Sequence, residues 1–415
     1  MSSSPVPVPA QAPPYGRTPL RTVQVLDGAG AGSGTHVRSL ATGLAARGVR
    51  VTVCAPAEAE GEYDFTGAGA SFAPDAVSAL RAACAGADVV HAHGVRAGLR
   101  AALALRGHRA PLVVSWHGAP EAGGALGRLS RLLERRVARA AAVVLGSSSD
   151  QVDLARLRGA RDARLGGGGP PGAGGGPPAG AGARGGRARA AVAARGAGGG
   201  AGGGAGRGPP GGAGGGAGAP PPPPDPGKAR AELGAVERPL VIAVGALVPR
   251  RGYSVLLDAA REWRGLDPVP LLVIAGEGPQ REELARRIEL EALPVRLLGR
   301  RRDAAELLAA ADVAVLTSRW EGRSLLAQEA LRAGVALVAT AVGGVPELVG
   351  DAAVLVPYGD RGALSAAVAG LLGDPARRAE LAAAGRAQAA TWPSEDDTVA
   401  QVLAVYDELM ERRPR

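Results

Sequence analysis

The sequence predicts an α/β protein with two doubly wound parallel sheets that face a cleft. Short Val-rich runs alternate with stretches of helical periodicity, and this alternation occurs twice, before and after a Gly/Ala/Pro-rich block. Gly-rich segments follow several of the predicted strands. Apolar strands that alternate with helices are typical of parallel sheets covered by helices on both faces. Because such sheets bind ligands beyond the carboxyl ends of their strands, we expect the functional site in the cleft.

The first half of the chain alternates predicted strands with predicted helices. The strands are at 22–26, 49–53, 88–91, 111–115 and 141–145, and the helices are at 34–47, 74–86, 95–106 and 124–140. In the last helix, leucine or valine recurs every three or four residues, as on one face of a helix. We assign 1–19 to a disordered tail and 20–165 to a first domain.

The second half repeats this plan. The strands are at 239–244, 270–275, 295–298, 313–316, 336–339 and 353–356, and the helices are at 253–263, 279–291, 303–310, 324–333, 361–373, 376–390 and 394–412. We assign 226–393 to a second domain and 394–415 to a C-terminal helix that returns to the first domain.

The block at 166–225 cannot fold as a domain. Residues 166–224 contain 27 Gly, 15 Ala, 11 Pro and 5 Arg, so they lack the apolar bulk that offsets chain entropy. One interpretation is a flexible linker. The other is a frame-shifted reading of GC-rich DNA, because these four residues have codons made only of G and C. If the block replaced part of a domain, the first sheet would lack an edge strand.

The charge of the chain does not indicate a nucleic-acid partner. The net charge is +9, and the five arginines of the block account for more than half of it. The remaining basic residues are interspersed with acidic ones, as on solvated helix surfaces.

Composition also excludes other classes. No run approaches the ~20 apolar residues of a membrane span, and two cysteines do not make a secreted disulfide scaffold. The first 19 residues lack the basic start and apolar core of a signal peptide, so we expect a cytoplasmic protein.

Histidines and glycines cluster at predicted strand ends in the first half. Gly32 and Gly34 end a Gly-rich segment after the first strand, and His36 follows them, so this segment is either a phosphate or substrate loop or a tight turn. His91 and His93 share one side of the third strand if it persists, and His117 follows the fourth. Such histidines bind a sugar hydroxyl or an acceptor, or are structural; a zinc site is disfavoured because no acid or cysteine completes it.

The second half carries sharper signals. Arg251 precedes a predicted helix, where its guanidinium and the helix N–H groups could converge on a diphosphate. Gly276 begins a Gly-rich turn after the next strand. Glu321 and Glu329 are eight residues apart, which on a helix separates them by about 80° and allows one shared face. A further Gly-rich turn at 341–347 follows a later strand.

The order of these segments resembles the retaining glycosyltransferases of the large family four, which have the GT-B fold of two Rossmann-like domains. The donor half is matched by the loop 245–252, the Glu321–Glu329 pair, the segment 330–334 and the turn 343–347, and the acceptor half by 35–37 and 91–94. The resemblance covers about 20–165 and 226–412.

This resemblance implies a site that transfers a sugar, with retention, from a nucleotide diphosphate donor without a metal or another cofactor. By similarity, His93 lies by the reacting carbon, Glu321 meets the donor sugar and Arg251 takes the leaving diphosphate; these three are the implied catalytic residues. Glu329 would bind the ribose. The other implied donor-binding residues are Gly245, Arg250, Gly276, Gly322, Arg323, Ser324 and Leu325, and the implied acceptor-side or phosphate-loop residues are Gly32, Gly34, His36 and His117.

The donor would be a UDP- or GDP-sugar, and the acceptor a lipid or a small molecule. For a lipid acceptor, the Arg-rich helix at 124–140 could lie on the inner membrane surface; packing on the first sheet is the alternative.

Two departures from the family pattern keep other functions open. Ala246 stands where the family has an arginine, and the block at 166–224 lies where it has a strand and the crossing to the second domain. The chain is therefore alternatively an impaired or inactive relative of these enzymes. A sugar-nucleotide epimerase or a phosphorylase with the same fold is a third hypothesis.

Overall fold

The computed structural model describes residues 19–28, 31–116, 125–166, 226–301 and 303–412. Almost all of the predicted tail, most of the low-complexity block and His117 lie outside these residues.

The first sheet has seven parallel strands in the order β3-β2-β1-β4-β5-β6-β7. The strands are β1 (Arg21–Leu26), β2 (Arg50–Ala55), β3 (Ser71–Pro74), β4 (Val89–His93), β5 (Leu112–Trp116), β6 (Val143–Gly146) and β7 (Ala163–Leu165). The helices are α1 (Ala31–Ala46), α2 (Ala57–Tyr63), α3 (Val77–Ala85), α4 (Val95–Ala104), α5 (Ala125–Ala140) and α6 (Ser149–Leu157). The order reverses at β1 and β4, which is the switch point of a doubly wound sheet.

The second sheet has six parallel strands in the order β10-β9-β8-β11-β12-β13. The strands are β8 (Leu240–Val244), β9 (Leu271–Ala275), β10 (Val295–Gly299), β11 (Val313–Leu316), β12 (Ala336–Thr340) and β13 (Val354–Val356). The helices are α7 (Pro226–Leu233), α8 (Tyr253–Glu262), α9 (Arg281–Leu290), α10 (Ala304–Ala310), α11 (Leu325–Ala333), α12 (Val345–Val349), α13 (Arg361–Gly373), α14 (Pro375–Ala390) and α15 (Glu395–Glu411). None of these described helices, in either half, combines the length and apolar composition that a membrane span requires.

Both sheets are buried on both faces, as the continuous apolar strands predict. Neighbouring residues of one strand enter different cores: Val241 packs on one side of the second sheet and Ile242 on the other. Val89 and Val90 do the same in the first sheet. This alternation follows from the two-residue period of a strand, and it confirms the predicted doubly wound α/β architecture.

Helix α15 leaves the second half and packs on the first sheet, as predicted for the C-terminal helix. Val399 lies against Gly43 of α1, where a Cβ would come within 2.5 Å of its Cγ2. Arg164 of β7 donates to Glu408 at 2.6 Å, and Ser39 of α1 donates to Glu395 at 2.6 Å. The last helix therefore joins the two halves of the chain.

The first sheet keeps an edge strand although the block follows it. Strand β7 ends at Leu165, directly before the block, and pairs with β6 through Leu145 and Arg164. The sequence pattern did not predict β7 or β3, because neither of these short edge strands contains a run of Val, Ile or Leu. It also missed α2, α6, α7 and α12; the predicted turn at 341–347 runs into α12, with Pro346 in its first turn.

The predicted loop through Gly32 and Gly34 is wrong. Helix α1 begins at Ala31, so both glycines belong to its first turns. At Gly34, a Cβ would lie 2.3 Å from Cε2 of Tyr63. The missing side chain therefore lets the Tyr63 ring pack on the helix, and this packing rather than a tight turn explains the glycine.

Candidate functional site

Two glycines, each directly after a neighbouring strand, come into contact at the carboxyl edge of the second sheet. Gly245 follows β8 and Gly276 follows β9, and a Cβ on Gly276 would lie 1.9 Å from the carbonyl oxygen of Gly245. The N–H of Gly245 donates to the carbonyl of Ala275 at 2.9 Å, which ties the two segments together. Any larger residue would separate them, so these glycines maintain a narrow floor that a ligand can approach closely.

A charged cluster stands beside this floor. The guanidinium of Arg251 forms an ion pair with the carboxylate of Glu321, and Ser318 donates to the same carboxylate at 2.7 Å. Arg251 and Glu321 are largely buried, and Ser318 is fully buried. The Nε of Arg251 is buried and has no hydrogen-bond partner among the described residues. A carboxylate with two donors and a guanidinium with an unused N–H are therefore held side by side.

The backbone around Arg251 is bonded directly to the segment that follows β11. The hydroxyl of Thr317 donates to the carbonyl of Arg251 at 2.8 Å, and the N–H of Arg319 donates to the carbonyl of Arg250 at 2.7 Å. Gly252 has a φ of 69°, and a Cβ there would lie 2.1 Å from the carbonyl oxygen of Thr317. These bonds place Arg251 opposite Glu321 across 70 residues of sequence. Sequence reasoning missed Thr317 and Ser318, although two hydroxyls at a strand end are a recognisable signal.

The side chains of Arg250 and Ala246 are both exposed.

Buried Tyr253 donates to the carbonyl of Gly245 at 3.1 Å. Burial raises the pKa of its hydroxyl to about 12, so the hydroxyl stays a hydrogen-bond donor.

Glu321 and Glu329 do not share a helix face, which corrects the sequence-based argument. Helix α11 begins at Leu325, and Ser324 is its N-cap, accepting from the N–H of Ala327 at 3.4 Å. Glu321 therefore lies in the preceding loop, where helical spacing does not apply. Glu329 lies within the helix, and burial raises the pKa of its carboxyl, against the opposing effect of Arg332.

Arg323, two residues after Glu321 in the sequence, occupies a desolvated position. Its Nε and Nη2 are buried and have no hydrogen-bond partner among the described residues. Burial lowers the pKa of its guanidinium, and the charge of Glu347 opposes this effect. Gly322 is buried before it, and Leu325 is exposed after it.

The histidines of β4 lie on the same side of the first sheet, as predicted. The rings of His91 and His93 stack with centroids 4.4 Å apart, and the ring of His36 is 5.8 Å from that of His93. Burial lowers the pKa of His36, while Glu395 raises it. His36, on α1, therefore joins the two strand histidines at the carboxyl edge of the sheet.

A buried polar network holds His91 in place. Its Nδ1 is 2.7 Å from the hydroxyl of Tyr406, and its Nε2 is 2.8 Å from the hydroxyl of Ser115. Gln24 donates to the same Tyr406 hydroxyl at 3.1 Å. His91 is fully buried, so its role is structural. The signal in the sequence was Gln24, a polar residue in the middle of an apolar strand.

The same network determines the tautomer of His93. Its Nε2 lies 2.9 Å from Oε1 of Gln24, which only accepts hydrogen bonds. A neutral His93 therefore carries its proton on Nε2 and its lone pair on Nδ1.

The carboxyl edges of the two sheets approach each other at Gly322. A Cβ on Gly322 would lie 2.6 Å from the hydroxyl oxygen of Ser147, which follows β6. His93 ends β4, which is separated from β6 by β5 alone. Two strand spacings are about 10 Å, so His93 lies about 10 Å from the end of β6, which leads into Ser147. The described residues contain no group of three or more acids, histidines or cysteines that could hold a metal ion.

Two family models match the chain in its two halves. The model described as glycosyl transferases group 1 matches residues 227–388, and the model described as glycosyl transferase 4-like domain matches residues 31–165. Together they cover well over half of the chain.

Curated relatives resemble part of the chain. A GDP-mannose-dependent alpha-(1-6)-phosphatidylinositol monomannoside mannosyltransferase of Mycolicibacterium smegmatis is 35% identical over 38% of this chain and 45% of its own length. A GDP-mannose-dependent monoacylated alpha-(1-6)-phosphatidylinositol monomannoside mannosyltransferase of Corynebacterium glutamicum is 36% identical over 41% of this chain and 48% of its own length. The chain thus spans less than half the length of each of these relatives.

The architecture has solved counterparts. HepE of Anabaena, crystallised with UDP-glucose, superposes with a TM-score of 0.72 at 19% identity, covering 93% of this chain and 99% of that one. At this identity the similarity shows the fold, which is GT-B. The chain is a member of the group 1 glycosyltransferase family, with the two Rossmann-like domains of the GT-B fold.

Proposed function

We propose that this protein transfers a sugar, with retention, from a nucleoside diphosphate sugar to an acceptor. The observation that carries this proposal is the cluster of Arg251, Ser318 and Glu321 beside the floor of Gly245 and Gly276. The cluster combines a cation for a leaving diphosphate with a carboxylate for sugar hydroxyls. It lies beyond the strand ends, where doubly wound sheets bind ligands.

Charge develops on the leaving diphosphate during such a transfer, and stabilising it there accelerates the reaction. Arg251 supplies a permanent cation whose Nε has no hydrogen-bond partner among the described residues, and its pairing with Glu321 keeps the guanidinium oriented. Glu321 accepts hydroxyls of the donor sugar. Glu329, half-buried on α11, accepts the ribose hydroxyls, for which a carboxylate is the usual partner. The family pattern supports each role.

The donor base stays open between guanine and uracil. The two curated relatives are named for GDP-mannose, and HepE was crystallised with UDP-glucose. The residues described above recognise the diphosphate and the sugars, which both donors share. No metal or other cofactor is part of this proposal.

A lipid-linked acceptor at a membrane surface is the finer proposal, supported by the outer face of α5. Leu129 and Leu132 are 52% and 56% exposed there. Around them the exposed residues are Arg128, Arg135, Arg136 and Arg139. Exposed leucines among arginines suit the interface of an anionic membrane. The two curated relatives are named for phosphatidylinositol mannosides, which agrees with such an acceptor.

Incubation of the full chain with UDP-glucose and with GDP-mannose tests the transferase proposal. We expect nucleotide release that increases with acceptor, and a product whose anomeric configuration, read by NMR, matches that of the donor. Absence of both donor binding and nucleotide release at millimolar donor would overturn it. An epimerised nucleotide sugar formed without acceptor would instead support the epimerase hypothesis.

An inactive relative is the competing proposal, and Ala246 is the observation that favours it. Its side chain is exposed at the floor where the family pattern has an arginine. Loss of one charge-stabilising donor costs roughly 10²–10³ in kcat. Ala246→Arg therefore separates the two: a weakened enzyme gains turnover, whereas an inactive protein gains none.

A further inference from the structure

The segment Ser147–Asp150, which follows β6, connects the first half of the chain to the loop 317–324 between β11 and α11. Its contacts converge on Trp320, Gly322 and the turn before α12. None of these residues of the first half carries a role in the function proposed above.

The central contact joins Asp150 to Trp320. The indole Nε1–H of Trp320 donates to Oδ2 of Asp150 at 3.0 Å, across 170 residues of sequence. The other carboxylate oxygen, Oδ1, accepts from the hydroxyl of Ser148 at 2.5 Å. The hydroxyl of Ser148, two residues earlier in the same segment, therefore orients the Asp150 carboxylate toward the indole. Trp320 directly precedes Glu321, so this bond fixes the residue next to the sugar-binding carboxylate.

A second bond crosses in the opposite direction. The N–H of Ser149, at the start of α6, donates to Oε2 of Glu347 at 3.0 Å. Glu347 belongs to α12, whose preceding Gly344 donates its N–H to the carbonyl of Glu321 at 2.9 Å. The backbone of Glu321 is thus linked to the first half through this turn as well.

Two glycines permit this approach. A Cβ on Gly322 would lie 2.6 Å from the Ser147 hydroxyl oxygen, and one on Gly344 would lie 2.5 Å from the Cβ of Ser148. Both glycines adjoin the Glu321 backbone. Gly322 follows Glu321 in the sequence, and the N–H of Gly344 donates to the carbonyl of Glu321. The loop 317–324 and the turn before α12 therefore approach the first half at positions without side chains.

We propose that Asp150 is a positioning residue, supplied by the first domain, that orients Glu321 toward the donor sugar by holding Trp320. This inference rests on the proposed transferase function. Asp150 does not touch the donor; it acts through the backbone between Trp320 and Gly322. A displacement of about 1 Å at a reacting group costs up to roughly 10²-fold in rate, so the loss of one such bond has a measurable effect.

The test compares Asp150→Ala, Asp150→Asn and Trp320→Phe with the wild type in the full chain. The matched control is Asp153→Ala, which removes a carboxylate of the same helix that is 75% exposed and, among the described residues, is paired with nearby Arg156 alone. The readouts are kcat and KM for the donor, calorimetric affinities for UDP-glucose and for UDP, or for GDP-mannose and GDP, and thermal stability.

We expect Asp150→Ala and Trp320→Phe each to lower kcat/KM about tenfold. The affinity for the nucleoside diphosphate without sugar should stay unchanged, because Arg251 is not displaced. Asp150→Asn retains an acceptor oxygen and should recover most of the turnover. The double variant should lose no more than either single one, since both remove the same bond.

Wild-type turnover in Asp150→Ala would overturn the inference while leaving the transferase proposal intact. Equal losses of nucleoside diphosphate affinity, turnover and thermal stability would also overturn it, because they indicate a general structural role. If the wild type binds donor without turnover, the selective loss of nucleotide-sugar affinity in Asp150→Ala still decides the matter. A wild type that binds no donor refutes the transferase proposal itself.

Discussion

The Nδ1 of His91 lies 2.7 Å from the hydroxyl of Tyr406, although the two residues are 315 positions apart. Tyr406 belongs to α15, the helix that returns from the second domain, and is fully buried. Burial raises the pKa of Tyr406, against a smaller opposing effect of the bond from Gln24. The hydroxyl therefore stays protonated and links the last helix of the chain to the histidine strand of the first sheet.

Tyr406→Phe should destabilise the fold. The change leaves His91 and Gln24 each without one hydrogen-bond partner in a buried site, which costs about 1–3 kcal/mol. The free energy of unfolding from urea titrations measures this loss. Tyr358→Phe is the matched control, since Tyr358 is 43% exposed and should change little. Equal stability of the two variants would show that the hydroxyl contributes nothing.

Glu134→Ala should destabilise the first domain more strongly. The carboxylate of Glu134 accepts from Nε of Arg158 at 2.5 Å, and both side chains are at most 10% exposed. Removing the acid leaves a buried guanidinium unpaired, which costs about 3–5 kcal/mol. Urea unfolding measures the effect, and Asp153→Ala, which breaks an exposed pair, should cost at most about 1 kcal/mol. A loss no larger than that of the control would contradict the prediction.

Arg251→Ala should lower kcat for sugar transfer by roughly 10²–10³. The change removes the cation that faces the leaving diphosphate and the ion-pair partner of Glu321. Arg251→Lys should fall between this variant and the wild type, because it keeps the charge and loses the planar fork of donors. Steady-state kinetics with saturating donor measure the change. Arg377→Ala, at an exposed pair on α14, is the control, and a comparable loss there would refute a specific role of Arg251.

His36 should make the fold less stable in mild acid. Burial lowers its pKa from 6.5, with Glu395 opposing, so the unfolded chain binds a proton more readily than the folded one. Stability is therefore fully present above pH 6.5 and decreases as the pH falls from there toward the folded pKa. His36→Gln should lack this component. Unfolding free energies measured for both proteins between neutral and mildly acidic pH give the difference, and parallel profiles would contradict the prediction.

The repeated βα pattern was sufficient to predict both sheets, because continuous apolar strands and helical periodicity are local properties. The strands that the pattern did not predict, β3 and β7, are the edges of the first sheet and contain no run of Val, Ile or Leu. The start of α1 was also wrong. Glycine disfavours helices locally, but packing of Tyr63 on Gly34 compensates here.

The candidate site likewise contains residues that the sequence predicted and contacts that only the structure shows. Motifs predicted four of its residues, because each stands at a strand end, between a strand and the next helix, or on that helix: His93, Arg251, Glu321 and Glu329. Their roles stay a proposal. The pairing of Arg251 with Glu321, and the helix start that separates Glu321 from Glu329, could not be predicted from spacing.

The amino-acid sequence by itself determined the fold class, the two-domain plan and the set of charged residues at the strand ends, since these follow from short-range patterns. Only the tertiary structure decided which of them meet. Thr317 holds Arg251, Tyr406 holds His91, and Asp150 holds Trp320 across 66, 315 and 170 residues respectively. Contacts at such separations depend on how the sheets and α15 pack together, and no local pattern in the chain encodes that packing.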